Sequence, residues 1–289
     1  MLVYVKLLLT AIFWGGTFIA ARVVSQELAP FNAALLRFVV ASVFLVGMTR
    51  YFEGRLPVLK KHQFIPVVLL GLTGVAGYNF FFFSGLRTVE AGRAAIIVAT
   101  NPVFIALLAA CLFREKLAIP RCVGILLCVT GAIVVISRGD PLAMLRGAVA
   151  GGEVYIFGCV VMWVAYSLIG KLIMKDMSPM GAVTYSCLIG TVCLILPALG
   201  EGIVANLARC TLHGWFGVLY LGFFGSALGF LWYYQGINRI GASRAAVFIN
   251  FVPISAIIIA YIVLKEPVDM SLFVGAMLVV SGAYLTNKT

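Results

Sequence analysis

One stretch of this chain is repeated without a gap, and the repeat constrains the fold more than any other feature. An Arg-Ala-Ala triplet, a proline, a glutamate and several glycines return 151 positions later. The paired positions are Arg93/Arg244, Ala94/Ala245, Ala95/Ala246, Pro102/Pro253, Glu115/Glu266, Gly71/Gly222, Gly74/Gly225, Gly85/Gly236, Gly124/Gly275 and Gly131/Gly282. Earlier positions match at an offset of 149, namely Trp14/Trp163, Arg22/Lys171 and Pro30/Pro179. Self-similarity at a fixed period indicates an internal duplication.

The composition places this duplicated chain in a membrane. Hydrophobic residues make up 63% of the 289 residues and charged residues 11%, whereas about a quarter of an ordinary soluble domain is charged. The mean hydropathy is +1.11. A helix needs about 20 apolar residues to cross a bilayer, and ten segments meet this need: Tyr4–Val24, Pro30–Thr49, Phe64–Leu86, Ala91–Phe113, Ala118–Ser137, Glu153–Ile173, Met180–Leu199, Trp215–Gly236, Ser243–Leu264 and Met270–Thr286. The sequence therefore predicts an all-α integral membrane protein with ten transmembrane helices.

The two halves of the chain are predicted to be five-helix repeats of opposite orientation. Residues 1–140 form the N-terminal half and residues 148–289 the C-terminal half of one membrane domain. Because five is an odd number, the second repeat starts from the opposite side of the membrane. Such inverted repeats are typical of secondary transporters, in which two near-equivalent packings open a central site to either side. A structural duplication without alternating access is the alternative.

The positive charge of the chain is better explained by orientation than by nucleic-acid binding. The net charge is +11, but the basic residues are spread over loops and not gathered on one face. With the N-terminus inside, 13 of the 21 Lys and Arg residues fall on the cytoplasmic side and seven on the other. The positive-inside rule thus predicts cytoplasmic termini, and no nucleic-acid partner is expected.

Aromatic and neutral polar side chains at mid-depth are the candidate substrate contacts. Membrane tryptophans usually lie at the interfaces, yet Trp14 and Trp163 fall at matching central positions of spans one and six. The other candidates are Tyr78, Asn79, Asn101, Tyr166 and Asn250. Polar groups at this depth face the bundle interior, so we expect a central cavity lined by these side chains. Packing in a solid core, or hydrogen bonds that only tie helices together, is the alternative.

Two prolines and an arginine also lie within the predicted spans. Pro102 and Pro253 each remove a backbone hydrogen bond and are predicted to break or kink spans four and nine. Arg37 lies about two turns into span two, where a charge must face the interior or find a partner. We expect it to contact an anionic group of the solute or to anchor the surrounding helices.

Acidic and metal-binding groups are scarce in the sequence. All ten carboxylates fall at or near predicted span ends, so we expect little or no coupling to a proton gradient. Seven scattered cysteines and two histidines form no metal-binding motif, and no metal or other cofactor is predicted. The sequence also lacks the paired acid and base or the nucleophile motif that an enzyme requires. These features favour a neutral or zwitterionic organic solute.

The chain resembles the EamA-type transporters of the drug/metabolite transporter superfamily. The resemblance covers almost the whole sequence and rests on Trp14-Gly15-Gly16-Thr17-Phe18, Leu36-Arg37-Phe38, Asn101-Pro102 with Arg114-Glu115, and Glu266. Within the family, the chain is most similar to bacterial aromatic amino acid exporters. It departs from the pattern at Ser186 and Val252, the counterparts of Arg37 and Asn101.

The resemblance implies an exporter in the inner (plasma) membrane. Its cavity would be built by spans one, three, four, six, eight and nine. The implied partners are a small-molecule substrate and the lipid bilayer, with the protein a monomer or weak homo-oligomer. Export or facilitated diffusion of aromatic and other neutral amino acids is the favoured function. Transport of another metabolite or a drug-like solute, or a membrane-embedded enzyme, is the alternative.

Overall fold

The computed structural model describes residues 2–113, 119–140, 151–174, 176–240, 245 and 248–288. Every regular element within these ranges is a helix. Several positions named above lie outside the described residues, namely Arg114, Glu115, Arg244, Ala246 and the junction at 141–147. An all-α fold is therefore confirmed for the described part of the chain.

The N-terminal half contains seven α-helices and one π-helical turn among its described residues. They are α1 (Leu2–Glu27), α2 (Pro30–Glu53), α3 (Lys61–Leu70), π1 (Gly71–Gly77), α4 (Tyr78–Leu86), α5 (Ala91–Val98), α6 (Asn101–Phe113) and α7 (Ile119–Ile136). The segments α3, π1 and α4 follow one another without interruption, so they form one long helix with a π-helical middle. Two residues separate α5 from α6, in the middle of the fourth predicted span.

The C-terminal half repeats much of this order. Its elements are α8 (Gly151–Ile173), α9 (Pro179–Gly200), α10 (Ile203–Arg209), α11 (Leu212–Tyr220), π2 (Leu221–Leu228), α12 (Gly229–Ile240), α13 (Phe251–Ile259), π3 (Ala260–Leu264) and α14 (Met270–Lys288). The turns π1 and π2 start at neighbouring positions of the two repeats. The sequence did not predict α10, which begins directly after Gly202 with its left-handed φ of 72°.

Six helical stretches in the described residues are long and apolar enough to cross a membrane. They are Leu2–Glu27, Pro30–Glu53, Lys61–Leu86, Gly151–Gly170, Pro179–Gly200 and Leu212–Tyr233. Four shorter apolar stretches are Ala91–Ile105, Cys122–Ile136, Phe251–Leu264 and Met270–Thr286. Large apolar side chains stay exposed on the outer faces of these helices, as Val43 and Leu196 do. Lipid chains can cover such surfaces, so the fold is that of a membrane protein.

Local chemistry sets where the matching helices α2 and α9 begin. Pro30 and Pro179 each stand at the start of their helix, where no backbone N–H is needed for helical bonding. Before Pro179, the Ser178 hydroxyl accepts a hydrogen bond from the Gly181 N–H at 3.1 Å. The proline of each repeat therefore marks a helix start.

The central helix of each half is surrounded by elements of the other half. Helix α1 packs against α11, π2, α12 and α13, while α8 packs against π1, α4, α5 and α6. Glycines allow α7 and α14 to approach closely, since a Cβ at Gly131 would lie 2.8 Å from the Gly275 carbonyl oxygen. The halves therefore meet along α1 and along α8, as well as between α7 and α14.

Candidate functional site

The surface along α8 contains an aromatic cluster around Trp163. Its indole lies 5.5 Å from the ring of Tyr78 on α4 and 5.3 Å from the ring of Tyr166, one turn further along α8. Aromatic rings from both halves of the chain therefore meet at mid-span. Part of each side chain stays exposed, and the Trp163 indole N–H has no acceptor among the described residues.

The second surface contains Trp14 on α1, whose surroundings differ. Its ring lies 5.7 Å from Phe230 and 5.3 Å from Tyr233 on α12. Its Nε1 donates a hydrogen bond of 2.9 Å to the Gly225 carbonyl. A Cβ on Gly229 would lie 2.6 Å from that nitrogen, so only glycine leaves room for the indole there. The indole N–H of Trp14 is therefore satisfied by a backbone carbonyl, as the core-packing alternative expects. Its ring nevertheless stays partly exposed.

The difference between the two tryptophans has a simple origin in the repeat. Gly229 occupies the position that Tyr78 occupies in the first half, 151 residues earlier. Where Trp14 faces a glycine backbone, Trp163 faces a phenol ring. The residues that face the two tryptophans therefore offer different chemistry to a small molecule.

The break between α5 and α6 interrupts the helical hydrogen-bond pattern of this span. Pro102 has no N–H, so the carbonyl of Val98 lacks the donor that a continuous helix would supply. The Thr100 N–H and hydroxyl both donate to the Ile97 carbonyl, at 3.1 and 2.6 Å. Asn101 is buried, and its Oδ1 accepts no hydrogen bond from the described residues. Such a buried acceptor costs about 1–3 kcal/mol unless a donor meets it.

A second interruption precedes α13. Asn250 is a turn residue directly before that helix, and its side chain makes no capping hydrogen bond. Pro253 is the third residue of α13. The Ser255 hydroxyl donates to the Ala11 carbonyl at 3.1 Å and joins α13 to α1. Both predicted helix-break prolines thus lie just inside a new helix that starts at mid-span.

Arg37 is buried between the two halves without a carboxylate partner among the described residues. Its Nη1 donates to Asn79 Oδ1 at 3.0 Å and its Nε donates to Ser226 Oγ at 3.3 Å. Asn79 in turn donates to the Val75 carbonyl at 2.8 Å, so both ends of its amide are bound by protein. The remaining terminal nitrogen of Arg37 has no partner among the described residues. A buried guanidinium with only neutral partners attracts an anion.

The Glu266 carboxylate joins the two halves, a contact that the sequence did not predict. Glu266, which follows π3, accepts hydrogen bonds from the Ala91 and Gly92 N–H groups at 3.0 and 3.3 Å. It therefore caps the N-terminus of α5, where a negative charge is favourable. Arg22 of α1 lies 3.8 Å from the same carboxylate. The repeated Pro-to-Glu spacing was the sequence signal, but spacing alone could not reveal the cap.

Arg93, one residue beyond the capped amides, forms a second connection at the same end. It is 3% exposed and binds Glu90, the Val135 carbonyl and Asp269. Burial alone would raise the pKa of Asp269, but hydrogen bonds from Ser271 and Leu272 and the charge of Arg93 hold it below its ordinary value. The pair links α5 to the start of α14.

The lowered pKa of Asp269 predicts a loss of stability in acid. A group whose pKa is depressed by folding stabilises the protein above its ordinary pKa of 3.8, and that contribution disappears as the pH falls through the lowered value. Between about pH 6 and about pH 3, the melting temperature of the wild type should therefore fall further than that of D269N. Thermal unfolding in detergent measures both. Equal slopes for the two proteins would contradict the prediction.

Many apolar helices, joined around aromatic and polar groups at mid-span, define a membrane protein of the multi-pass transporter class. The sequence model of the EamA-like transporter family matches residues 1–137 and again residues 150–288. The chain therefore belongs to the EamA-like transporter family.

Comparisons with individual proteins agree with this assignment. The uncharacterized transporter YyaM of Bacillus subtilis (strain 168) is 31% identical over 284 residues, which cover 97% of this chain and 92% of YyaM. A probable terminal-alkyne amino-acid exporter of Streptantibioticus cattleyicolor is 28% identical over 98% of this chain and 92% of its own. One crystal structure matches 98% of this chain and 96% of its own with a TM-score of 0.67. At 20% identity, that match bears on the fold alone.

Proposed function

We propose that this protein is a secondary transporter that exports small amphipathic metabolites, with aromatic and other neutral amino acids as favoured substrates. The observation that carries this proposal is the meeting of Trp163, Tyr78 and Tyr166 between the halves, with ring surface and an indole N–H left unused. Aromatic faces provide affinity for rings, and a few polar groups fix orientation. A relative named as a probable amino-acid exporter supports the same substrate class.

We further propose ten transmembrane helices in two inverted repeats, residues 1–140 and 148–289. Two pairs of contacts support this arrangement, because in each pair the two halves exchange roles. Thr17 packs on Gly225, and its counterpart Tyr166 packs on Gly74. In the same way, Leu7 packs on Gly236 and Ile156 packs on Gly85. The family model, which matches each half separately, also supports a duplicated transporter that rocks about the central site.

In the proposed complex the solute lies between the two aromatic surfaces. Trp14, Trp163 and Tyr166 contact its apolar part, and Tyr78, Asn101 and Asn250 form hydrogen bonds with its polar end. Arg37, held in place by Asn79, attracts its carboxylate. The interruptions at Pro102 and Pro253 supply the local backbone irregularity. The protein lies in the inner membrane with both termini in the cytoplasm, and it acts as a monomer or weak homo-oligomer.

Flux of labelled tryptophan and phenylalanine into liposomes tests the proposal. The purified protein should accelerate uptake over protein-free liposomes, and an unlabelled amino acid should compete. If the protein accelerates no amino acid, the favoured substrate class is wrong, and a panel of other metabolites and drug-like solutes then decides among the alternatives.

The same assay predicts weak or absent dependence on a proton gradient. Every carboxylate in the described residues lies near a helix end or in a connection, so no acid stands at mid-span to carry a proton. Imposing a pH difference should therefore change the initial rate by less than about twofold. Strong stimulation by the gradient would contradict this expectation and would point to an acidic group that exchanges protons during transport.

A further inference from the structure

We infer that Glu266, together with the Arg93–Asp269 pair, is a latch that holds one end of the solute pathway closed and must release for the solute to leave. The inference rests on the proposed transport function and concerns the end of the bundle at which α5 begins and π3 ends. By the predicted orientation this end faces outward, so the latch would control release of the exported solute.

The latch acts where a helix of each half crosses the other at the outer end of the bundle. Helix α5 and the α13–π3 segment belong to opposite halves. Helix α5 precedes its mid-span interruption and the α13–π3 segment follows its own, so in the proposed inverted arrangement both lie in the outer half of the membrane. They cross at Gly92, where a Cβ would lie 3.4 Å from Ile257 Cγ1. The Glu266 carboxylate reaches over this crossing to the amides of Ala91 and Gly92. Separating the two segments therefore requires this cap to break.

Opening this end also breaks hydrogen bonds and ion pairs that involve charged groups. Releasing Glu266 leaves two N–H groups at the positive end of α5 without an acceptor, and it moves the carboxylate away from Arg22. Releasing Asp269 leaves Arg93, which is 3% exposed, with one carboxylate fewer. Hydrogen bonds in which the donor or the acceptor is charged are about twice as strong as neutral ones. The closed end is therefore specifically stabilised, and water or solute must supply new partners when it opens.

The two repeats differ in the acids that accompany the arginine of the Arg-Ala-Ala triplet. The position that matches Glu90 in the second half is Gly241, and the position that matches Asp269 is Ala118. In the sequence, the counterparts of both acids that bind Arg93 are therefore missing for Arg244. Glu115, the counterpart of Glu266, is present. The packing that is closed at the Glu266 end would then be lower in free energy than the packing that is closed at the opposite end. The protein at rest therefore favours closure at the Glu266 end. An exporter that rests in this state takes up its solute from the cytoplasm.

A cysteine placed at Gly92 reports opening of this crossing. The contacts of 3.4 to 3.7 Å around a Cβ there are ordinary ones, so the cysteine fits while the end is closed. In cells or right-side-out vesicles, a membrane-impermeant thiol reagent should label G92C slowly. Labelling should become about tenfold faster in G92C/E266Q and G92C/D269N, the change that loss of one charge-assisted contact produces.

E201Q provides a matched control. Glu201 also caps a helix of the other half, through the Phe31 and Asn32 amides at 2.9 and 3.0 Å. It acts on the start of α2, which packs along α9 and not on the crossing of α5 with α13. Labelling of G92C/E201Q should equal that of G92C alone. Unchanged labelling in both latch variants, or equal acceleration by E201Q, would overturn the latch.

Hydrogen exchange measures the same event without a cysteine. The amides of Ala91 and Gly92 should exchange faster in E266Q than in the wild type, and no faster in E201Q. If the latch variants open this end but liposomes transport no amino acid, only the substrate assignment is wrong. If transport is normal and neither labelling nor exchange responds to E266Q, the latch alone is wrong.

Discussion

Arg37→Met is expected to abolish transport of carboxylate-bearing solutes while leaving the protein folded. The guanidinium is buried between Asn79 and Ser226, and no carboxylate pairs with it in the described part of the chain. Methionine fills a similar volume and removes a charge that is costly to bury, so the melting temperature should stay equal or rise. Flux of labelled tryptophan should fall by about 100-fold, the effect of losing an attraction of about 2.8 kcal/mol.

The controls separate anion binding from structural anchoring. Arg50→Met removes a charge from the exposed end of the same helix and should leave flux unchanged. Arg37→Lys keeps the charge without the fork of donors and should retain part of the flux. If Arg37→Met instead lowers the melting temperature while the surviving protein transports normally, Arg37 only anchors the helices.

Trp163→Ala is expected to lower flux of aromatic substrates about tenfold or more. Its ring contacts Tyr78 and Tyr166 across the halves, and its indole N–H has no acceptor among the described residues. A buried aromatic anchor typically contributes about 2 kcal/mol or more to binding, and each 1.4 kcal/mol is a factor of ten. Initial rates of tryptophan and phenylalanine uptake at low concentration measure the loss.

Two further variants make this result interpretable. Trp215 is 38% exposed on α11, so Trp215→Ala should leave flux unchanged. Trp163→Phe keeps a ring at the site and should restore most of the phenylalanine flux. Loss of folded protein in Trp163→Ala, with normal transport by what remains, would assign this tryptophan to core packing.

The sequence predicted the class of fold because hydropathy is a direct consequence of the bilayer. Apolar runs must be about 20 residues long to span hydrocarbon, and a helix satisfies its own backbone groups there. Helix starts at Pro30 and Pro179 were also predictable, since proline at a first helical position needs no N–H. The family followed from the whole pattern, and the match to residues 1–137 and 150–288 confirmed it.

Side-chain partners could not be predicted in the same way. Asn79 and Asn101 are both amides at mid-depth, yet one holds Arg37 and the other has an unpaired Oδ1. Trp14 and Trp163 occupy matching positions, but the exchange of Tyr78 for Gly229 gives them different surroundings. Such outcomes depend on which helix packs opposite, and a single sequence does not contain that information until the helices are placed.

We propose that the two halves have opposite orientations in the membrane. The side of the membrane from which matching positions between spans can be labelled is the direct test. Arg55 and Val204 occupy matching positions at an offset of 149, and both are exposed. In a background without reactive native cysteines, R55C and V204C are each treated with an impermeant thiol reagent on intact cells and on inverted vesicles. Inverted repeats predict that V204C is labelled on cells and R55C only on inverted vesicles. Labelling of both cysteines from the same side would contradict this proposal.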